Sequence, residues 1–225
     1  MNQDVRTARI AGLWYLAIAV FYLFGMEYIN KTFLAGGDIE ATIKKIQASH
    51  LLFRLGLLSC LVGHICFLFL ANALHRLFSP VDRDLSRLMV ILIVAGVSVS
   101  FLARLNQVAA ILLLDGRAYL AAFEPARLKA LAMFFLDLLR HGEKMATLFW
   151  ALWLLPLGLL VIKSGFMPKV LGMLLIVACV SYLADFMNFF IFPHLMPLVD
   201  APFTVVQMAA EIGFLLWLLI KGRDS

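Results

Sequence analysis

Charge is what this sequence has least of: Asp, Glu, Lys and Arg make up 15% of its 225 residues, against 64% hydrophobic. So little polar material cannot clothe an ordinary water-soluble domain. Cysteine is nearly absent too. Cys60, Cys66 and Cys179 are odd in number and lie inside apolar stretches, so they describe no disulfide framework and read as small core residues. No basic run or aromatic-basic stripe accompanies the net charge of +5, which is therefore assigned to lipid headgroups and topology rather than to nucleic acid. Phosphate loop, dinucleotide fingerprint, serine elbow and His-Glu-x-x-His are all missing, and no cofactor is expected. Asp137, His141 and Glu143 are metal ligands by type, but without a second histidine nearby they give no metal site.

What the chain has instead is long apolar runs. Six can be counted, about 10–28, 51–74, 88–114, 145–162, 170–192 and 203–220, each near the ~20 residues a helix needs to cross a hydrocarbon core ~30 Å thick. A transmembrane barrel would instead show ~10-residue alternation of apolar and polar positions. The expected fold class is all-α, one integral membrane domain of six transmembrane helices with short amphipathic outer helices. Two segments supply the latter. DIEATIKKIQAS places Ile39, Ile43 and Ile46 on one face. ARLKALAMFFLDLLR, opened by Glu124-Pro125, has Leu128, Leu131, Phe135, Leu138 and Leu139 against Lys129, Asp137 and Arg140, and either lies on the outer surface or extends span four. Pro156 should kink that span.

Nine Lys and Arg sit in short segments beside helix ends on the side of the termini, and eight are spread over the two longer connections opposite. Short connections set orientation, so both termini are expected on the cytoplasmic side. Measured from that side at 1.5 Å per residue, Glu211 lies ~15 Å up, His64 ~18 Å, Asp185 ~24 Å and Arg104 ~25 Å. Arg54, Asn106, Gln107 and Glu143 come out higher still, near the outer interface.

Charged side chains at such depth are expensive, face the bundle interior and find partners. Spacing pairs Asp185 with Asn188, Gln207 with Glu211, and Arg104 with Gln107 on shared helix faces. These groups, with Arg54, lead to the expectation that Arg54 and Arg104 neutralise Asp185 and Glu211 around an outward-facing polar pocket. The bland alternative is a set of ion pairs and amide bonds that only hold the bundle together. His64, alone in an apolar stretch, reads first as a hydrogen-bonded core residue.

Several segments together carry a resemblance: TARIAGLWYL, LLFRLGLL, RLNQVAAILLL, the run from WLLPLGLL to SYLADF, and IGFLLWLLIKG. Across nearly the whole chain they resemble the bacterial membrane proteins grouped as domain-of-unknown-function family 4386. The resemblance implies a compact inner-membrane protein of about six helices, and that Arg54, Asn106, Asp185 and Glu211 match the family's own Arg, Asn, Asp and Glu. It implies no activity.

The functional expectation is a pocket for a small amphiphile or lipid headgroup, formed by Arg54, Arg104, Asn106, Gln107, Asp185, Asn188, Gln207 and Glu211, with the arginines on anionic groups. One rival is a membrane-embedded enzyme on a lipid-like substrate, with Glu211, Asp185 or His64 as acid or base. Others are a small transporter, which the apolar cytoplasmic half disfavours, and a structural scaffold.

Overall fold

The computed structural model describes residues 3–34, 38–192 and 196–220. Among these there is no strand, and the chain is helical almost throughout. The first helix, α1, is Gln3–Tyr22, and it continues into the wider turns of Leu23–Tyr28 and Asn30–Leu34, where amides bond five residues back. Then follow α2 (Ile39–Ala48), α3 (His50–Phe78), α4 (Arg83–Leu114), α5 (Pro125–Leu152), α6 (Leu154–Ser164), α7 (Lys169–Phe190) and α8 (Met196–Ile220). Six stretches are long and apolar enough to cross a membrane: Val5–Phe33, His50–Phe78, Arg83–Leu114, Pro125–Ser164, Lys169–Phe190 and Ala201–Ile220. The protein is all-α and multi-pass.

Of the two expected outer helices, only α2 is a separate short element. Asp38 caps it by accepting from the Glu40 amide at 2.9 Å. Ile43 and Ile46 are buried as expected, but Ile39 in the first turn is exposed. The stretch from Pro125 is the first half of α5, which runs unbroken into span four. Its buried stripe passes through Ala132, Leu136 and Leu139 and on to Ala146, while Leu131 and Leu138 are exposed. Pro156 acts where expected. Lacking an amide hydrogen, it cannot bond the Leu152 carbonyl, and the helix is interrupted at Trp153, between α5 and α6.

The chain divides into two compact units. The first contains Met1–Ala17, Ile65–Ser98 and Lys144–Ser225; the second contains Ile18–His64 and Val99–Glu143. In the first, α7 packs against both α6 and α8. A Cβ on Gly158 would stand 2.7 Å from the Gly172 carbonyl oxygen, so the α6–α7 crossing needs small residues on both sides. Phe67 packs on Trp150 and Trp153, and Trp14 stacks on Phe69 at 4.8 Å. The second unit is built round Ile29, Phe33, Ile43, Ile46, Phe53 and Leu57, closed by Ala132, Leu136 and Leu139 of α5. Phe33 and Phe53 meet edge to face at 5.3 Å.

Candidate functional site

Arg54 lies one turn into α3, and its partner comes from the far end of α4. That helix ends at Leu114, and the chain turns at Gly116, whose φ of 65° a residue with a side chain adopts only with strain. Asp115 stands between helix end and turn, where both carboxylate oxygens reach the Arg54 Nη2, at 2.6 and 2.7 Å. His50 Nδ1 is 4.0 Å from the same carboxylate. His50, Leu51, Arg54, Leu114 and Asp115 line an open cavity of about 400 Å³. The Arg54 side chain keeps 48% of its surface exposed and the Asp115 side chain 15%.

Deeper in the second unit, Arg104 is 5% exposed. Its Nε meets Glu143 Oε1 at 2.9 Å, and its Nη1 donates to Gln107 Oε1 at 3.0 Å. Gly142 makes the contact possible: a Cβ there would stand 2.7 Å from the Ala103 Cβ, so the α4 and α5 backbones come together only because position 142 has no side chain. Ser100 donates to the other Glu143 oxygen at 3.4 Å. Asn106 turns to its own helix and donates to the Ala103 carbonyl at 3.1 Å. His64 is fully buried, ringed by Tyr22 and Phe101, with Nδ1 2.6 Å from the Cys60 carbonyl. A carbonyl only accepts, so Nδ1 carries the hydrogen. His141 likewise donates to its own helix, at the Asp137 carbonyl, 2.8 Å away.

In the first unit, Asp185 of α7 accepts from Lys144 Nζ at 2.6 Å, and the ammonium also lies 5.5 Å from the centre of the Phe189 ring. Asn188 is half-buried one turn further along α7. Glu211 of α8 accepts from two phenols, Tyr15 of α1 at 2.9 Å on Oε2 and Tyr182 of α7 at 2.6 Å on Oε1. Gln207 is buried one turn before it.

The expected pairing is therefore corrected. Arg54 and Arg104 were to neutralise Asp185 and Glu211, but their acidic partners are Asp115 and Glu143, while Lys144 serves Asp185 and phenols serve Glu211. The Arg104–Gln107 face formed as its spacing required. The reason lies at the ends of the spans. Asp115, Glu143 and Lys144 sit at the ends of the apolar runs, and each pair joins a long side chain, Arg54, Arg104 or Lys144, to a carboxylate on another segment. Of the residues expected in one pocket, Arg54 alone lines the cavity described above. Asp115, Lys144, Tyr15 and Tyr182 went unselected: Lys144 counted only toward the charge of a connection, Asp115 falls just past the end of an apolar run, and tyrosine at bilayer depth reads as another aromatic.

These spans, with their paired charges, can be set against known families. The model of a domain of unknown function, DUF4386, matches residues 10–222. The chain belongs to the DUF4386 family. An uncharacterized protein of Archaeoglobus fulgidus is 36% identical over 81 residues, covering 34% of this chain and 43% of that protein. The chain thus spans less than half the length of that relative. No solved structure matches the chain. Family and relative share the absence of an assigned activity, so the residues alone carry the functional reading.

Proposed function

We propose that this DUF4386 protein resides in the bacterial inner membrane with both termini cytoplasmic, and binds the anionic headgroup of a lipid or similar amphiphile beside Arg54. The observation that carries the reading is the open cavity between the start of α3 and the end of α4. Both bonds from Arg54 to Asp115 leave from Nη2, so Nε and Nη1 have donors left for a phosphate or carboxylate. His50 adds a further nitrogen on the same wall. Leu51 and Leu114 supply apolar flanks along which a chain would lie. The cavity opens at the ends of two spans, at headgroup level, where a cation meets anionic lipid without crossing hydrocarbon. The distribution of Lys and Arg supports placing this end on the outer side.

Asp115 fits this role as a reversible counter-ion. It holds the guanidinium in place when the cavity is empty and is displaced, or shares the fork, when an anion arrives. Arg104 and Gln107 then serve packing within the second unit, Asp185, Asn188, Gln207 and Glu211 packing within the first, and Asn106 its own helix.

The test is native mass spectrometry of protein in nanodiscs made with phosphatidylglycerol or with phosphatidylcholine alone. Wild-type protein should retain the anionic lipid on release. Arg54→Gln should lose it by about tenfold, the effect of one charge-assisted contact, and Arg54→Lys should recover only part, because ammonium lacks the fork. Equal retention by wild type and Arg54→Gln, both folded by circular dichroism, refutes the reading.

A further inference from the structure

Several carboxylates in or beside the spans are held by cations. Asp115 has Arg54, Glu143 has Arg104 and Asp185 has Lys144, all at 2.6–2.9 Å. Glu211 differs. Among the described residues its hydrogen bonds come from two neutral hydroxyls, Tyr15 on α1 and Tyr182 on α7, one to each oxygen. We propose that Glu211 is a reversible proton-binding site, exchanging one proton with water while Tyr15 and Tyr182 keep both of its oxygens hydrogen-bonded in either state.

Hydroxyl chemistry carries the argument. An ammonium or guanidinium only donates, so a carboxylate held by one loses a partner when it takes up a proton. A phenol both donates and accepts. With Glu211 ionised, both hydroxyls donate to it. With a proton on Oε2, the carboxyl donates to the Tyr15 oxygen across the same 2.9 Å, the Tyr15 hydrogen rotates away, and Tyr182 continues to donate to Oε1. One O–H bond forms on Oε2 as one breaks on a hydronium ion, one negative charge is removed, and the hydrogen bond from Tyr15 to Glu211 is replaced by one from Glu211 to Tyr15; no other covalent bond changes. Either hydroxyl can reverse in this way, since each donates to a different carboxylate oxygen.

The surroundings suit a site that changes charge. Neutralising the carboxylate removes the expense of an uncompensated charge at bilayer depth, which for a cation-paired carboxylate is already met. From α1 the group facing Glu211 is Tyr15; from α7 it is Tyr182, followed one turn on by Asp185 with its counter-ion Lys144; on α8 itself it is Gln207. Phe67 and Phe214 cover Tyr15 at 6.5 and 6.2 Å between ring centres, and neither carries charge. Because the partners of Glu211 come from α1 and α7, a change in its protonation is felt at the contacts of α8 with both.

Infrared difference spectroscopy tests this on full-length protein in nanodiscs, labelled with carbon-13 glutamate so that glutamate bands separate from aspartate. On moving from alkaline to acidic pH, a carbonyl band of a protonated, hydrogen-bonded glutamic acid should appear. It should survive Glu143→Gln, vanish in Glu211→Gln, and move to higher frequency in Tyr15→Phe, which removes one hydrogen bond but keeps the carboxyl. Tyr15→Phe alone remains informative if Glu211→Gln fails to fold. A labelled carbonyl band unaffected by Tyr15→Phe, or a wild-type protein showing no titrating glutamic acid band while it stays folded, overturns the proposal.

Discussion

Glu143 in the second unit and Glu211 in the first are the same side chain in two solvation schemes. Glu143 faces a buried guanidinium at 2.9 Å; Glu211 faces two phenols at 2.9 and 2.6 Å. A guanidinium fixes its partner's charge, because separating the pair leaves a buried ion on each side. Phenols fix only the geometry and tolerate either charge. The two glutamates therefore differ in what their surroundings hold constant: charge at Glu143, hydrogen-bond pattern at Glu211.

The largest expected effect tests the charged side of that contrast. Arg104→Ala strands Glu143 beside a helix contact that excludes water, and should destabilise the protein by ~3–5 kcal/mol. Adding Glu143→Gln to Arg104→Ala should restore a substantial part, because no charge is then left unpaired. Thermal melts in a mild detergent, with reversibility checked, measure both. A single variant as stable as wild type would erase the distinction between the two centres. Next in size is Gly142→Ala. The new methyl would overlap the Ala103 Cβ, and pushing α4 from α5 should cost ~1–3 kcal/mol in the same assay.

How much of this was readable beforehand follows from what each feature depends on. Span number and helix type depend on composition along one segment, so the apolar runs around Leu51–Leu74 and Leu88–Leu114 land inside α3 and α4. The interruption near Pro156 depends on one missing amide hydrogen and was readable too. Pairing across helices depends on rotation and relative height, which single-helix patterns do not encode. Arg104 and Gln107 share a face within one helix and were paired correctly, whereas Arg104 with Glu143 required knowing that Gly142 lets two backbones close. Glu143 and Lys144 make the point sharply. Neighbours in sequence, they serve different partners: Glu143 meets Arg104 of α4 within the second unit, and Lys144 meets Asp185 of α7 within the first. Tyr15 and Tyr182 were hidden for a different reason: a phenol in an apolar run carries its polar atom at the tip, and only a partner reveals whether that tip matters.

A smaller effect sharpens the comparison from the phenol side. Glu211→Gln keeps the shape and an acceptor for one tyrosine, and the other phenol can accept from the new amide. Its expected loss is ~1 kcal/mol or less, the scale of one rearranged hydrogen bond. The identical change at Glu143 leaves Arg104 charged and buried, and should fall well above that. Measured side by side, two Glu→Gln variants that differ little would show that phenol and guanidinium surroundings hold a carboxylate alike.

The smallest effect concerns an ion pair at the very end of a span, where water does much of the work. Asp82, in the turn between α3 and α4, accepts from Lys163 Nζ at 2.8 Å on one oxygen and from the Leu85 amide at 3.1 Å on the other. The Lys163 bond first, and the amide second, hold its carboxyl below the usual range. A carboxyl depressed in the folded state adds stability that is present above its unfolded-state pKa and is lost as pH falls through the folded value. Lys163→Met should therefore melt slightly below wild type at neutral pH, and the gap should close on acidification, once Asp82 is protonated in both. Added salt should narrow the gap at neutral pH, because exposed charges are screened. At Arg104 and Glu143 salt should change little, since ions do not reach a pair enclosed between α4 and α5. A gap at Lys163 indifferent to both acid and salt would mean that the lysine acts through its apolar stem rather than its charge, and would leave the Asp82 turn held by the Leu85 amide alone.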